Sequence, residues 1–363
     1  MTKFIKGILI FINILVVVGL LMVKIGSGTN PNTWLLPSYF SFFLFPLALV
    51  NLFFIVFWSI LRKWWFLLPL VAAFLFSGSI KSSFPINFSE KKIKNSEKKI
   101  KFLSYNTMAL GSMKKHNDEK KNSVVQYILD TDADIVCLQE FSVSENEYQF
   151  NEKDFKQYFQ KYPYKHLKYK INKWKMHQGV VTLSKYPIIN KQDIEYESKV
   201  NLSIFSDIVI NNDTIRVINN HLESNRITSQ DMQQTSQLAE DFDSEKLTDI
   251  TKYFSEKLSV ASKNRANQTD KIVEAKKKSP HKLIICGDFN DVPASYTYSK
   301  IKGNLHDAFC ETETGLGWTF NRSFFRFRID YILYDNSFVS NHYKRGNSRA
   351  SDHYPIQVDL YLQ

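Results

Sequence analysis

Cysteine is scarce in this sequence. Three of the 363 residues are cysteine, namely Cys137, Cys286 and Cys310, and two of these lie in apolar, strand-like runs. An odd number in apolar surroundings favours buried free thiols over a disulfide framework or a cysteine metal site. The cysteines therefore leave the cellular compartment of the protein undecided.

An excess of acidic residues is also missing. The formal net charge is +11 and the isoelectric point is near 9.2, which favours acidic partners such as phosphates, nucleic acid or anionic lipid. Apolar residues make up 44% of the chain and are concentrated in the first eighty positions. The length suits one large domain plus an additional segment.

A cleavable secretory signal is not evident at the N-terminus. The run Phe4–Val23 contains only two polar residues and is long enough to cross a bilayer. A signal peptide would have a shorter apolar region and a small-residue cleavage site. Two further apolar runs, Trp34–Leu61 and Trp64–Ile80, follow. We therefore predict three transmembrane helices in residues 1–80, with the lipid bilayer as a partner.

Basic residues in the loops predict the orientation of these helices. Lys3 and Lys6 precede the first run, Arg62 and Lys63 separate the second from the third, and the first loop contains only Lys24. This pattern places the N-terminus in the cytoplasm and everything after the third run outside. Several lysines after the third run favour the opposite orientation, although charge governs long following domains weakly.

A linker rich in lysine, serine and asparagine follows at residues 81–99. It has little apolar surface to bury, so we expect a solvated tether. The alternative is a polybasic strip that lies on anionic headgroups.

The stretch 283–291 carries the clearest functional pattern in the remaining chain. The apolar run Leu283–Cys286 predicts a buried strand, and Gly287 allows a tight turn after it. Asp288 and Asn290 are two residues apart, so an extended chain places both side chains on one side. This pair suits a hard divalent cation or an attacking water. Taken by itself, an Asp/Asn turn is the simpler interpretation.

Other predicted strands also end in polar side chains. Asn106 closes the strand that starts at Ile100, and Gln139-Glu140 closes the next one. A hairpin around residues 211–213 leads to His221, which could equally be a structural histidine. Several such strand ends converge when layered proteins of helices and strands build a site.

The C-terminal part adds more groups of this kind. Asp330 lies within the predicted strand Phe327–Leu333, where a buried carboxylate needs a partner such as histidine. Asp352 and His353 are adjacent in a loop before the last strand. The segment 224–279 is polar, has a helical pattern and is long enough to cap a site or select substrate. The order of elements suggests two sheets packed face to face with helices outside.

These motifs, in this order, resemble the endonuclease/exonuclease/phosphatase superfamily over residues 100–363. The superfamily includes DNase I, exonuclease III-type repair nucleases, neutral sphingomyelinases and inositol polyphosphate 5-phosphatases. The motifs are Asn106, Gln139-Glu140, Asn219-x-His221, Gly287-Asp-Phe-Asn290, Arg328-Ile-Asp330-Tyr and Ser351-Asp-His353. The resemblance implies an α+β fold, a four-layer αββα sandwich, and hydrolysis of phosphate esters with a divalent metal.

The resemblance also implies the metal ligands. Glu140 is the expected principal ligand, and Asn106 and Asp352 would complete the coordination, largely through waters. The metal implied is Mg²⁺, with Mn²⁺ as the alternative.

Five residues have implied catalytic roles. Asp288 and Asn290 would position the attacking water or the scissile phosphate. His353, oriented by Asp330, would act as a general acid/base or transition-state donor. His221 matches the second histidine of the DNase I and sphingomyelinase branches.

Two details of the family pattern are less clear in this chain. Thr319 is a candidate for phosphate contact. The carboxylate that supports the second histidine in DNase I has no clear match, and Gln178 or His177 lies near the corresponding position. An acid/base role for His221 therefore depends on a partner that the sequence does not identify.

The membrane segment favours one class of substrate. It resembles a membrane-anchored bacterial branch that includes a glycopeptide-resistance protein with an extracytoplasmic catalytic domain. We therefore expect a phosphate-bearing lipid or cell-envelope substrate, and no protein partner is evident. The alternatives are an exported or membrane-bound nuclease, for which the positive charge also suffices, and a catalytically silent membrane sensor.

Overall fold

The computed structural model describes residues 2–88, 98–113, 116, 121–173, 175–226, 231, 244–322 and 325–363. These residues form two compact units. The first comprises Met1–Ile80, Glu223–Thr269 and Pro293–Ser299, and the second comprises Lys81–Leu222, Asp270–Val292 and Lys300–Gln363.

Fourteen strands are found among the described residues. In chain order they are β1 Lys98–Asn106, β2 Ile135–Ser144, β3 Tyr164–Lys173, β4 Met176–Ser184, β5 Ile188–Ile194, β6 Leu202–Ile210, β7 Asp213–His221, β8 Lys282–Asp288, β9 His306–Asp307, β10 Phe320–Arg322, β11 Phe325–Phe327, β12 Asp330–Tyr334, β13 Phe338–Arg345 and β14 Ile356–Leu362.

The α-helices of the described residues are α1 Lys3–Gly28, α2 Leu36–Tyr39, α3 Leu44–Ile60, α4 Leu67–Leu75, α5 Ser77–Ser83, α6 Met108–Met113, α7 Ser123–Thr131, α8 Glu152–Tyr158, α9 Ser244–Lys277, α10 Tyr296–Lys302 and α11 Ala308–Thr312. Short 3-10 turns at Phe40–Phe43 and Trp64–Phe66 precede α3 and α4.

Two six-stranded sheets form the second unit. Sheet one has the order β13-β14-β1-β2-β4-β3, and sheet two has the order β5-β6-β7-β8-β12-β9. Within each sheet one neighbouring pair is parallel, β1 with β2 and β7 with β8, and the other pairs are antiparallel. The parallel pairs therefore bring the carboxyl ends of two strands together in each sheet.

The inner faces of the two sheets share one hydrophobic core. Phe102 and Cys137 of sheet one belong to the same buried cluster as Val217, Ile284 and Ile332 of sheet two. The outer face of sheet one packs on a second cluster, which includes residues of α7 and α8. The predicted α+β class and face-to-face sheets are confirmed.

The first unit contains the apolar N-terminal helices. α1 and the stretch Leu36–Ile60 are each long and apolar enough to cross a membrane. The third apolar stretch is a pair of helices, Trp64–Leu75 and Ser77–Ser83, bent by 62°. This stretch qualifies as a span only if the bent pair is one crossing, which differs from the continuous third helix that the sequence predicts.

Two apolar runs are each divided between two strands. The run 179–188 separates at Pro187 into β4 and β5, which belong to different sheets. Proline has no N–H to donate to a neighbouring strand, so the chain changes partner there. The predicted strand Phe327–Leu333 separates at Arg328-Ile329 into β11 and β12.

The start of the linker is packed against the sandwich instead of forming a solvated tether. Asn87 donates from its backbone to Thr314 Oγ1 (2.8 Å) and from Nδ2 to the Cys310 carbonyl (3.1 Å). The backbone of Gly315 donates to the Pro85 carbonyl (3.1 Å). Residues 89–97, with most of the lysines of the alternative polybasic strip, lie outside the described residues.

His166 provides a hydrogen bond between the two sheets. This histidine of β3 is buried, and its Nδ1 lies 2.9 Å from Ser206 Oγ of β6. Burial lowers its pKa to about 4, below the ordinary value of 6.5. Because the unfolded chain then binds the proton more readily, the fold loses stability as pH falls from about 6.5 to about 4.

We predict that His166→Gln flattens this part of the stability profile. In wild type the free energy of unfolding should fall by about 1–3 kcal/mol between about pH 6.5 and about pH 4. Thermal unfolding of the full-length chain in detergent, measured from pH 7 to pH 4, checks this. An unchanged slope in the variant would show that other groups cause the loss.

Candidate active site

The carboxyl ends of β1, β7 and β8 and the bulged middle of β2 define one edge of the sandwich. The register of β7 and β8 places His221 beside Asp288, and the antiparallel register of β12 places Asp330 beside the same aspartate. Three polar side chains therefore lie side by side in sheet two.

Asn106 connects these groups with sheet one. Its Nδ2 donates to Glu140 Oε1 (3.2 Å) and to Asp288 Oδ2 (2.9 Å). Its Oδ1 accepts from the backbone N–H of Met108 (3.1 Å), which fixes the orientation of the amide. One buried amide therefore bridges two carboxylates that belong to different sheets.

Glu140 lies at an irregular position of β2. The pairing with β4 shifts register between Leu138 and Phe141, and Glu140 has a positive φ of 50°. Such a conformation is costly for a residue with a side chain and is common at functional sites. The bulge turns the carboxylate towards the polar cluster, where its Oε2 accepts from Gln178 Nε2 (3.3 Å).

Glu140 and His221 form an ion pair. His221 Nε2 lies 3.4 Å from Glu140 Oε1. Burial raises the pKa of Glu140, but the hydrogen bond and positive charge of His221 outweigh it and lower the pKa to about 2. Burial lowers the pKa of His221, yet Glu140 and Asp288 raise it overall. The pair therefore favours a carboxylate and an imidazolium.

A tight turn after β8 positions Asp288 and Asn290. Gly287 has φ +120°, and a Cβ there would lie 2.1 Å from the Asn220 carbonyl oxygen, so only glycine fits. Asn290 donates from its backbone to Asp288 Oδ1 (2.8 Å) and from Nδ2 to Oδ2 (3.0 Å). It also donates to the Leu222 carbonyl (2.9 Å), so its amide locks the aspartate in place.

Asp288 is a buried carboxylate whose pKa is raised above its ordinary value. Burial raises its pKa to about 6, with a further increase from Asp330, while His353, His221 and Asn106 oppose the rise. Its titration therefore lies close to neutral pH.

His353 and Asp330 form the second acid–imidazole pair. His353 Nδ1 lies 2.9 Å from Asp330 Oδ2, and its Nε2 lies 3.7 Å from Asp288 Oδ2. Burial lowers the pKa of His353, but the charges of Asp330 and Asp288 raise it to about 10. Thr319 Oγ1 accepts from the backbone N–H of Asp330 (3.0 Å), so Thr319 positions this pair.

Ser351 attaches the His353 loop to β1. Its Oγ donates to the Asn106 carbonyl (2.8 Å) and accepts from the backbone N–H of His353 (3.1 Å). The loop and the strand therefore share a single buried hydroxyl.

These groups fit a divalent cation. Ligand atoms of Asp288, Asp330 and His353 all lie within 4.8 Å of one another. Asp330 Oδ1 is buried and has no hydrogen-bond partner among the described residues, and Glu140 adds another carboxylate to the cluster. Carboxylate and amide oxygens are the ligands that a hard cation prefers.

Most of the predicted site residues are brought together. Hydrogen bonds and ion pairs link Asn106, Glu140, His221, Asp288, Asn290, Asp330 and His353. Asp352 lies beside them, with Oδ2 3.1 Å from Arg322 Nε. His177 is occupied elsewhere, with Asn172 and Glu145.

Sequence reasoning did not assign Gln178, Ser351 or Arg322 to the site. The family pattern suggests Gln178 as a partner of His221, whereas Gln178 donates to Glu140. Ser351 belongs to the Ser351-Asp-His353 motif, so the sequence contains a signal that could have assigned it to the site. For Arg322 the sequence provides no comparable signal.

Comparison with known proteins identifies the family. The model of the endonuclease/exonuclease/phosphatase family matches residues 103–353, so the chain belongs to this family. A second family model, described as a domain of unknown function, matches residues 6–83. A search of curated protein sequences finds no match.

Solved structures align with this chain at low sequence identity. An endonuclease/exonuclease/phosphatase from Beutenbergia cavernae aligns with a TM-score of 0.52 at 14% identity, over 73% of this chain and 72% of its own. A family protein from Leptotrichia buccalis aligns at 0.48 and 16%, over 72% and 99%. ANGEL2, a 2',3'-cyclic phosphatase, aligns at 0.49 and 17%, over 76% and 99%.

We predict that Asp330→Asn lowers turnover about 10²- to 10⁴-fold while the protein stays folded, because His353 loses the carboxylate that orients and charges it. Steady-state hydrolysis of a phosphate ester and circular dichroism check this. Asp193→Asn, which removes a surface ion pair with Lys168, is the control. Equal activity of the two variants would contradict the role of Asp330.

Proposed function

We propose that this protein is a membrane-anchored, divalent-metal-dependent hydrolase of phosphate esters. Its substrate is a phosphate-bearing lipid or a cell-envelope intermediate. The main support is the single cluster of Glu140, Asp288 and Asp330 with two imidazoles, in a chain that belongs to a family of phosphoesterases and nucleases.

Asp288 is the proposed general base. A base is most effective when its pKa lies near the working pH, and the pKa of Asp288 is raised to about 6. Asn290 and Asn106 donate three hydrogen bonds to its two oxygens, which fixes the carboxylate against rotation. The carboxylate accepts a proton from water as the oxygen attacks phosphorus.

His353 is the proposed donor to the phosphoryl group. Its Nδ1 is held by Asp330, and its raised pKa keeps the ring protonated at neutral pH. The Nε2–H is thus available to stabilise negative charge on phosphate oxygens in the transition state. Burial lowers the pKa of His221, but its pairing with Glu140 raises the pKa overall, which favours a second positive charge in the site.

A divalent cation bound by Glu140, with Asn106 and Asp352 as the further ligands implied by the family pattern, would neutralise charge on the phosphate. The three carboxylates of the cluster explain why such a cation is needed: two imidazoles do not balance them once an anionic phosphate is added.

The apolar helices support membrane anchoring. α1 and Leu36–Ile60 are long enough to cross a bilayer, and large apolar side chains such as Phe11, Leu52 and Phe53 are exposed on them. Such surfaces are favourable in lipid and unfavourable in water.

Contacts within the first unit support a third crossing. Asn32, in the loop after α1, donates to Asn267 Oδ1 of α9 (2.9 Å), and Tyr39 donates to the Ser255 carbonyl of α9 (3.1 Å). α9 is polar, so we infer that it lies on the same side of the membrane as this loop. No apolar run long enough to span a bilayer follows residue 83 in the sequence, so the chain would cross the membrane twice between residues 36 and 83.

The loop charges then favour an extracytoplasmic catalytic domain. Lys3 and Lys6 precede α1 and Arg62-Lys63 lie between the later helices, so those two positions are expected on the cytoplasmic face. The loop at Asn32, and the part of the chain that follows the third crossing, would lie outside.

Anchoring also favours a lipid over nucleic acid as substrate. An anchored enzyme meets a membrane substrate in two dimensions, and the net charge of +11 attracts anionic headgroups. The same charge would attract nucleic acid, so a nuclease is the alternative that assays must separate.

We predict that the full-length protein in detergent micelles hydrolyses a phospholipid or isoprenoid diphosphate with Mg²⁺ and stops with EDTA. Plasmid DNA is the comparison substrate, and faster cleavage of DNA would favour the nuclease.

Glu140→Gln should abolish the Mg²⁺-dependent rate because the carboxylate is lost. Normal turnover of this variant at ordinary Mg²⁺ levels would contradict the ligand assignment.

We further predict that protease added to right-side-out membrane vesicles removes an epitope fused after Gln363. Inverted vesicles should protect the epitope. The reverse pattern would place the catalytic domain in the cytoplasm.

A further inference from the structure

The hairpin formed by β10 and β11 lies directly against the His353 loop. Phe320 forms an isolated β-bridge with His353, and the backbone N–H of Asn321 donates to the Asp352 carbonyl (2.9 Å). On the other side of the bridge, the backbone of Tyr354 donates to the Thr319 carbonyl (2.7 Å). The hairpin is therefore held in register with the His353 loop.

One face of this hairpin is directed towards His353. The ring of Phe320 contacts the imidazole at 5.1 Å between centroids, with an interplanar angle of 62°. Residues two apart in a strand share a face, so Arg322 lies on the same face as Phe320. Arg326 pairs with Asn321 and lies on the opposite face.

The guanidinium of Arg322 is only partly used within the protein. Its Nε lies 3.1 Å from Asp352 Oδ2, and the side chain remains 44% exposed. In the part of the chain that the structure describes, no acceptor is found for its terminal Nη atoms.

A structural arginine in the same protein makes a different contact. Arg216 is buried and binds both oxygens of Asp207, through Nε (2.7 Å) and Nη2 (2.8 Å). This two-point arrangement uses the Nε–Nη2 edge of the guanidinium. Arg322 instead contacts its carboxylate through Nε, beside the loop that carries His353.

We propose that Arg322 is a substrate-binding residue whose terminal nitrogens bind non-bridging oxygens of the substrate's phosphate, and that Asp352 is the residue that positions it. The proposal rests on the proposed phosphate-ester hydrolysis and adds a specificity-determining contact to it. A guanidinium matches the geometry of two phosphate oxygens, which a lysine or a histidine does not.

This proposal gives Asp352 a role other than the metal ligand that the family pattern implies. An Asp352 that positions Arg322 affects the affinity for phosphate. An Asp352 that binds metal affects the Mg²⁺ concentration needed for half-maximal activity. The two roles are therefore separable by measurement.

The test compares the full-length wild type with Arg322→Gln, Arg322→Lys and Asp352→Asn. The first readout is equilibrium binding of inorganic phosphate by calorimetry in saturating Mg²⁺. The second is KM and kcat for p-nitrophenyl phosphate and bis(p-nitrophenyl) phosphate. Arg326→Gln is the matched control, since it removes the same charge from the opposite face of the same hairpin, where Arg326 lies over the Trp318 ring.

We expect Arg322→Gln to weaken phosphate binding and raise KM about 10- to 100-fold, as for the loss of a charged hydrogen-bond pair. Turnover at saturation should change much less. Arg322→Lys should restore part of the affinity. Asp352→Asn should raise KM in the same direction without changing the Mg²⁺ requirement.

Phosphate binding and KM within about twofold of the Arg326→Gln control would overturn the role of Arg322. An increased Mg²⁺ requirement in Asp352→Asn, with unchanged phosphate affinity, would return Asp352 to the metal site. If wild type binds phosphate but hydrolyses no ester, the proposed function fails and phosphate affinity still decides the role of Arg322. If wild type does neither, both proposals fail.

Discussion

The buried amide of Asn106 is the contact on which the geometry of the site depends. It lies at the end of a strand in sheet one and donates to Asp288 of sheet two and to Glu140 of its own sheet. Sheet packing by apolar side chains fixes the distance between the sheets but not the position of their polar ends. Hydrogen bonds are directional, so this amide sets how the two sets of strand ends meet.

The charges of the site form two linked pairs. Glu140 pairs with His221, and Asp330 pairs with His353. Asp288 makes a longer contact with the same His353, 3.7 Å from Nε2 to Oδ2. This arrangement gives the two carboxyl groups different pKa values. The pKa of Glu140 is lowered to about 2, and that of Asp288 is raised to about 6. Environments that separate the pKa values of neighbouring carboxyls are what acid–base chemistry requires.

Unusual backbone conformations are also found in the site. Glu140 and Asn290 have positive φ values, and Gly287 occupies a position that no other residue fits. The surrounding sheets are regular and well packed, which allows them to hold these unfavourable conformations. Rigid sheets and a strained edge together orient the side chains before substrate arrives.

The sequence by itself determined the α+β class, the apolar N-terminal segment and the identity of most polar groups in the site. Apolar runs that lead to Asn106, Glu140, His221 and Asp288 carry this information locally, since each run predicts its own strand. The end predicted for β2 at Glu140 was wrong, because this strand continues to Ser144 after a bulge. The family pattern then connects these strand ends with one another. The solvated tether predicted for the start of the linker was wrong for residues 82–87. These residues pack on residues 310–315, which lie far away in the sequence.

Only the tertiary structure decided which partner each side chain has. Gln178 donates to Glu140, Thr319 supports Asp330, and Arg322 pairs with Asp352, although none of these pairs is close in sequence. The division of the chain at Pro187 between two sheets is likewise a matter of strand partners. Such contacts join segments that are far apart in the sequence. The periodicity of apolar residues within one segment contains no information about its distance from another segment in the fold.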